Sequence, residues 1–195
     1  MIADMEKKMI LGIYGKTGSG KSTVSDYLLK KGFHVIDCDK IGHDILKRDE
    51  EGYKKVLEAF GESFLKNDKE IDRKKLGGYL FKNRDKLEIL NSISFPLIEK
   101  KVREEIEINK DKNIIIDGAH IYKTDIIKIC DAVIQIKTDK SIERITKRDN
   151  ISESDAKNRL NSQSDYDKCD YIIENNGTLE ELYINIDLIL KKEGN

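Results

Sequence analysis

Eight consecutive residues carry the sharpest chemical signal in the chain: Gly15-Lys16-Thr17-Gly18-Ser19-Gly20-Lys21-Ser22. They satisfy G-x-x-x-x-G-K-[ST] at all four specified positions, a pattern whose chemistry is phosphate binding. Gly15, Gly18 and Gly20 admit backbone angles closed to other residues, so several N–H groups, that of Ser19 among them, can line one concave loop and meet phosphate oxygens. A helix opening near Lys21 adds the positive end of its dipole, and Thr23 is the next N–H in line. The Lys21 ammonium can reach the β- and γ-phosphates of a nucleoside triphosphate, and the Ser22 hydroxyl can hold Mg²⁺. Lys16, at an unspecified position, reads equally as solvated surface or as a ligand contact. The rival reading of the whole segment is an ordinary glycine-rich turn between a strand and a helix.

Such a loop needs a buried strand before it and a helix after it, and both flanks comply. Residues 9–14 form an apolar run of strand length, and residues 22–31 have helical composition closed by Gly32. Residues 34–37 read as a second strand. From 40 to 109 charged residues dominate, with apolar ones at helical spacing: Leu76, Tyr79 and Leu80, then Leu87 and Leu90, then Ile98, Val102 and Ile106. Pro96, the single proline, is placed where a new helix can begin. Strands return at 113–117, 132–136 and 171–174, all rich in β-branched residues. Ser152 with Asp155 and Thr178 with Glu181 spell capping boxes, and Leu179, Leu182, Ile186 and Ile189 stripe the last helix. About five short strands alternating with helices predict an α/β fold, a parallel sheet covered on both faces.

Composition narrows the partners. The chain has 195 residues, 38% hydrophobic and 37% charged, enough for one compact domain with a core and too apolar for a disordered tail. Its net charge of −1 lacks the basic excess of a duplex-binding protein, so no nucleic-acid partner is expected. No apolar run approaches the roughly 18 residues of a membrane span, and residues 1–8 mix charges instead of following the order of a secretory signal. Cys38, Cys130 and Cys169 are widely separated and form no C-x-x-C pair, so reduced thiols in a cytoplasm are expected. His34, His43 and His120 have no metal-like spacing. The stretch Asn109-Lys110-Asp111-Lys112 has lysine where the guanine-reading N-K-x-D pattern needs aspartate, which removes the best argument for a GTPase.

Beyond the phosphate loop, Val35-Ile36-Asp37-Cys38-Asp39 fits a V-[IL]-D-x-D motif at the end of strand two. Together these resemble the dephospho-CoA kinases, P-loop kinases that use ATP to phosphorylate the ribose 3′-hydroxyl of the CoA precursor. The likeness runs almost the whole chain: Phe60-Gly61, Ile71-Asp72-Arg73, Leu90-Asn91 and Pro96-Leu97-Ile98 match further family elements. Arg144, Arg148-Asp149, Arg159 and Gln163 resemble its R-x-x-x-R-D…R-x-x-x-Q lid pattern, and Asn175-Asn176-Gly177 its N-N-G loop. Two elements that the family places near the acceptor depart from it. Phe95 stands where histidine usually precedes the proline, and Asp117-Gly118-Ala119-His120-Ile121 stands for D-x-P-L-L.

The resemblance implies ATP and Mg²⁺, dephospho-CoA as acceptor, and a nucleotide-binding core over 1–39 and 113–195. A lid at about 139–170 and a helical acceptor-binding insertion over 40–112 complete the plan. Asp39, matching the family's second aspartate, is the expected base for the attacking hydroxyl, with Asp37 orienting the ribose or metal-bound water. Their i,i+2 spacing would turn both carboxylates to one face of an extended strand, unless Asp39 already lies beyond it; the rival reading is a pair of helix-capping aspartates before Lys40. Asp117 ends strand three, where it can serve the Mg²⁺ shell or simply form an Asp-Gly turn. Arg144 and Arg148, four apart on a helix, suit polyphosphate charge, with Arg148 expected at the transferring group; surface salt bridges to Asp149 or Asp155 are the alternative. Asn176 and its neighbours are expected over adenine or as a plain polar turn. Other small-molecule or nucleoside monophosphate kinases, and a nucleotide-binding homologue without transfer, remain the competing functions.

Overall fold

The structure is a computed structural model that describes residues 8–161, 163 and 168–194. By Cα packing the chain forms two compact units, Met1–Asp37 with Glu105–Asn195, and Cys38–Glu104.

The first unit is built on five parallel strands in the order β2-β3-β1-β4-β5: β1 (Ile10–Tyr14), β2 (His34–Asp37), β3 (Ile114–Asp117), β4 (Ala132–Lys137) and β5 (Tyr171–Glu174). Successive strand residues face opposite sides, yet Ile114, Ile115 and Ile116 are all buried, so both faces of the sheet are covered. That double burial is why the strands read as continuous β-branched runs and not as alternation. Helices α1 (Lys21–Lys30) and α8 (Leu179–Glu193) deliver Val24, Leu28, Leu182, Ile186 and Ile189 to the same core as Leu11, Ile13, Ile115 and Ile134. The α8 start is a full capping box, Thr178 accepting from the Glu181 N–H while Glu181 accepts from the Thr178 N–H. Helices α6 (Ser141–Asp149) and α7 (Glu153–Asn161) connect β4 to β5. From the central β1 the chain goes to one side for β2 and β3 and to the other for β4 and β5, so the carboxyl end of β1 lies at the switch point where α/β sheets bind ligands.

The second unit is helical: α2 (Cys38–Asp44), α3 (Glu51–Phe60), α4 (Arg73–Lys82) and most of α5 (Arg84–Ile108). Tyr53, Val56, Ile71, Leu76 and Leu80 form its core, with Leu90 and Ile93 packed against them. One expectation is corrected here. Pro96 does not open a helix; it lies inside α5, twelve residues past its start at Arg84. Proline within a helix removes a hydrogen bond and costs about 3 kcal/mol. The helix continues because it is anchored on both sides of Pro96, by Leu90 and Ile93 before it and by the buried Leu97 and Val102 after it. Asp39 lies beyond the strand, the alternative that the spacing left open: β2 ends at Asp37 and α2 begins at Cys38, which puts Asp39 in the first turn of a helix, exposed. Among the described residues no helix is long and apolar enough to cross a membrane.

Candidate functional site

The loop between β1 and α1 is a tight cradle. A turn closes with the Ser19 N–H donating to Lys16 O at 3.0 Å, and Gly18 and Gly20 take left-handed φ values of 80° and 101°. A Cβ on Gly15 would stand 2.5 Å from Ile136 O and 2.6 Å from Ser19 Oγ, so the loop lies flat on the end of β4. The first helical bond in α1 is Val24 N–H to Gly20 O, which leaves the amides of Lys21, Ser22 and Thr23 projecting from the helix end. The Lys21 ammonium folds back and donates to Gly15 O at 3.0 Å, over the loop. Ser19 is 2% exposed, and its Oγ has no hydrogen-bond partner among the described residues. At Gly20 a Cβ would fall 2.2 Å from Asn175 Nδ2. Gly20→Ala therefore meets both backbone strain and a clash, and is expected to lower unfolding free energy by about 2 kcal/mol in a urea titration while abolishing ATP binding.

Asp37 and Asp117 are in register at the carboxyl ends of adjacent strands, so they share one face of the sheet with backbones about 4.8 Å apart. Asp117 Oδ2 accepts a 2.7 Å hydrogen bond from Ser25 Oγ on α1, one turn beyond Ser22. Asp39 belongs to the second unit and follows Asp37 by two residues.

Three further residues hold the loop from the β4 and β5 side. Asn175, buried, donates from Nδ2 to Ser19 O at 2.8 Å. Arg144 donates to Gly18 O and Ser19 O, both at 3.4 Å, and to Asn175 O at 3.1 Å, which sets its guanidinium beside the phosphate loop. Gln163 contacts the loop as well: its Oε1 accepts from the Thr17 N–H at 2.8 Å and its Nε2 donates to Thr17 Oγ1 at 3.1 Å. Gln163 and Ala119 also help line a small cavity, about 20 Å³, beside Gly15 and Lys16.

Two expected contacts are elsewhere engaged. Arg148 forks onto Asp149 at 2.7 and 3.0 Å, joined there by Arg159 at 2.5 Å. The Arg148 guanidinium holds the Asp149 carboxyl below the usual carboxylate range. Asn176 Oδ1 accepts from Thr138 Oγ1 and the Asp139 N–H, and its Nδ2 donates to Asp139, so the side chain ties the β5 turn to the β4–α6 turn. Part of the expected lid, residues 162 and 164–167, lies outside the described residues. Ser25 escaped the sequence reading, since a serine inside a helix carries no signal; Asn175 lies in the expected N-N-G loop, and only the β5 register decides that it, and not Asn176, turns onto the phosphate loop. Gln163 had a signal, the R-x-x-x-Q spacing. Burial pushes the Cys130 thiol up to about 12, so it stays protonated.

Oxygen donors dominate the edge. Among the described residues no group of three His, Cys, Asp or Glu side chains could hold a metal ion unaided. Ser22 and Asp117 nevertheless suit Mg²⁺, which takes one or two protein oxygens and completes its shell from phosphates and water.

The family described as dephospho-CoA kinase matches residues 9–181. The chain is 38% identical to a dephospho-CoA kinase of Fusobacterium nucleatum over 92% of this chain and 95% of that one. It is 34% identical to one of Oceanobacillus iheyensis over 94% and 97%. The solved structure of a dephospho-CoA kinase from Campylobacter jejuni superposes with a TM-score of 0.61 at 30% identity, covering 94% of this chain and 98% of that one.

Proposed function

Because this chain belongs to the dephospho-CoA kinase family, its activity is the ATP-dependent phosphorylation of dephospho-CoA in CoA biosynthesis, and we propose that the phosphate loop and the neighbouring strand ends carry that reaction. The observation that supports this most is the conjunction on one sheet edge of the glycine cradle, the open amides of α1 and the paired Asp37 and Asp117.

In this reading the amides of Gly15, Gly18, Ser19, Gly20, Lys21, Ser22 and Thr23 bind the triphosphate tail. Lys21 leaves the Gly15 carbonyl for the β- and γ-phosphate oxygens. Arg144, already held against the loop, neutralises phosphate charge, and Arg148 adds its own if it exchanges Asp149 for the nucleotide. Asn175 and Asn176 keep the turn beside the loop in place, next to the space for the base. Ser22, with Asp117 through water, would hold Mg²⁺, which when bound neutralises charge on the transferring phosphoryl group. Asp37 orients the acceptor ribose, and Asp39 takes the proton of its 3′-hydroxyl. The hydroxyl oxygen bonds to the γ-phosphorus, the bond from that phosphorus to the leaving ADP oxygen breaks, and the proton ends on the Asp39 carboxylate.

The test is a coupled ADP-release assay with ATP and a panel of acceptors, followed by mass detection of products. Dephospho-CoA is expected to be used with kcat/KM at least 10²-fold above nucleoside monophosphates and shikimate-like alcohols. A different preferred acceptor would overturn the assignment, and tight ATP binding with no acceptor consumed would overturn catalysis itself.

A further inference from the structure

Ser25 is 6% exposed, and a buried hydroxyl needs a partner. The habitual solution in a helix is the carbonyl one turn back. Here the hydroxyl instead points across to the sheet and donates to Asp117 Oδ2 at 2.7 Å, a distance typical of a bond to an ionised carboxylate. The acceptor matters because Asp117 is not isolated. It stands in register with Asp37 on the next strand, so two carboxylates face the same side at strand spacing and repel each other.

We propose that Ser25 is a positioning residue: its hydroxyl fixes the Asp117 carboxylate by one oxygen, so that the other is presented to the water shell of a divalent cation held at Ser22. The proposal deepens the reading of Asp117 given above and rests on it. Ser22 and Ser25 are three apart on α1 and therefore lie on one side of the helix, while Asp117 ends the strand that pairs with β1. One helix face thus offers the first hydroxyl to the metal and the second to the metal's outer carboxylate. Partners that orient a ligand without touching the metal change metal affinity or activity by about 10- to 100-fold when removed.

The experiment is calorimetric titration of ATP across a range of Mg²⁺ concentrations, on wild type, Ser25→Ala, Ser25→Thr and Asp117→Asn, beside a thermal melt of each. Ser25→Ala is expected to raise the Mg²⁺ concentration that half-maximally tightens ATP binding by about tenfold, with metal-free ATP affinity within twofold of wild type. Ser25→Thr, which keeps the hydroxyl, should restore most of that shift. If Asp117→Asn shifts the Mg²⁺ midpoint and Ser25→Ala does not, the proposal falls and the reading of Asp117 stands. If neither shifts it, the reading of Asp117 falls and takes the proposal with it. A loss of metal-free affinity equal to the loss with Mg²⁺ would show that Ser25 merely packs α1, and would also overturn it.

Discussion

Asp39→Asn lowers kcat by 10² or more and leaves the dissociation constant of ATP within about twofold of wild type. A positioned general base is worth roughly 10² to 10⁴ in rate, so the lower bound is about 2.7 kcal/mol of transition-state free energy. The placement of Asp39 makes this variant unusually clean. It is exposed in the first turn of α2, where an acidic side chain gains from the helix dipole. Asparagine keeps the shape and loses only that charge term, about 0.3 to 1 kcal/mol. A fall in rate with a melting temperature nearly unchanged therefore cannot be assigned to a damaged helix. Wild-type turnover by Asp39→Asn would remove Asp39 from the base role. A parallel loss of ATP affinity would move it to the nucleotide instead.

What the sequence made legible follows the range of the forces involved. The five strands were readable because a sheet covered on both faces demands unbroken β-branched runs, and residues 114–116 are such a run. The cradle was readable because its glycines answer local backbone demands, seen at Gly18 and Gly20. Pro96 was misplaced because its local rule is outweighed by anchoring of α5 on both sides, by side chains distant in sequence. Whether Asp39 continues the strand stayed open in the sequence because strand and helix meet at residue 38 without a glycine or proline to mark the change. The contacts of Ser25, Asn175 and Gln163 with the loop and strand ends span 92, 156 and 146 residues. Contacts of that span depend on how the chain is threaded through the sheet: Gln163 and Asn175 lie in recognisable motifs, yet no local pattern announces which loop atoms any of the three meets.

Lys21→Ala should produce the largest loss: kcat reduced by about 10³, with ATP bound more weakly as well. The argument starts from what Lys21 does in the structure, where its ammonium donates to the Gly15 carbonyl across the mouth of the loop. That bond joins the charged ammonium to a carbonyl at a half-buried site, and one such bond contributes about 2 kcal/mol to stability. The fold should therefore survive, with a melting temperature lowered by a few degrees. The rate should not. A preorganised donor aimed at developing charge is worth 10²- to 10³-fold, and here the donor also carries a full positive charge. Lys21→Arg separates charge from shape. Arginine retains the charge but presents a wide planar fork where a compact ammonium sits inside a ring of amides, so recovery of less than tenfold is expected. Full recovery would mean that only long-range charge is needed, and the cradle geometry would lose its explanatory role. Combining Lys21→Ala with Asp39→Asn tests whether the two act on separate tasks. Charge neutralisation and proton removal are distinct, so their losses should multiply until the rate reaches the uncatalysed floor. A double variant no slower than Lys21→Ala alone would place both side chains in one cooperative unit, assembled only when the lysine leaves the Gly15 carbonyl for the nucleotide.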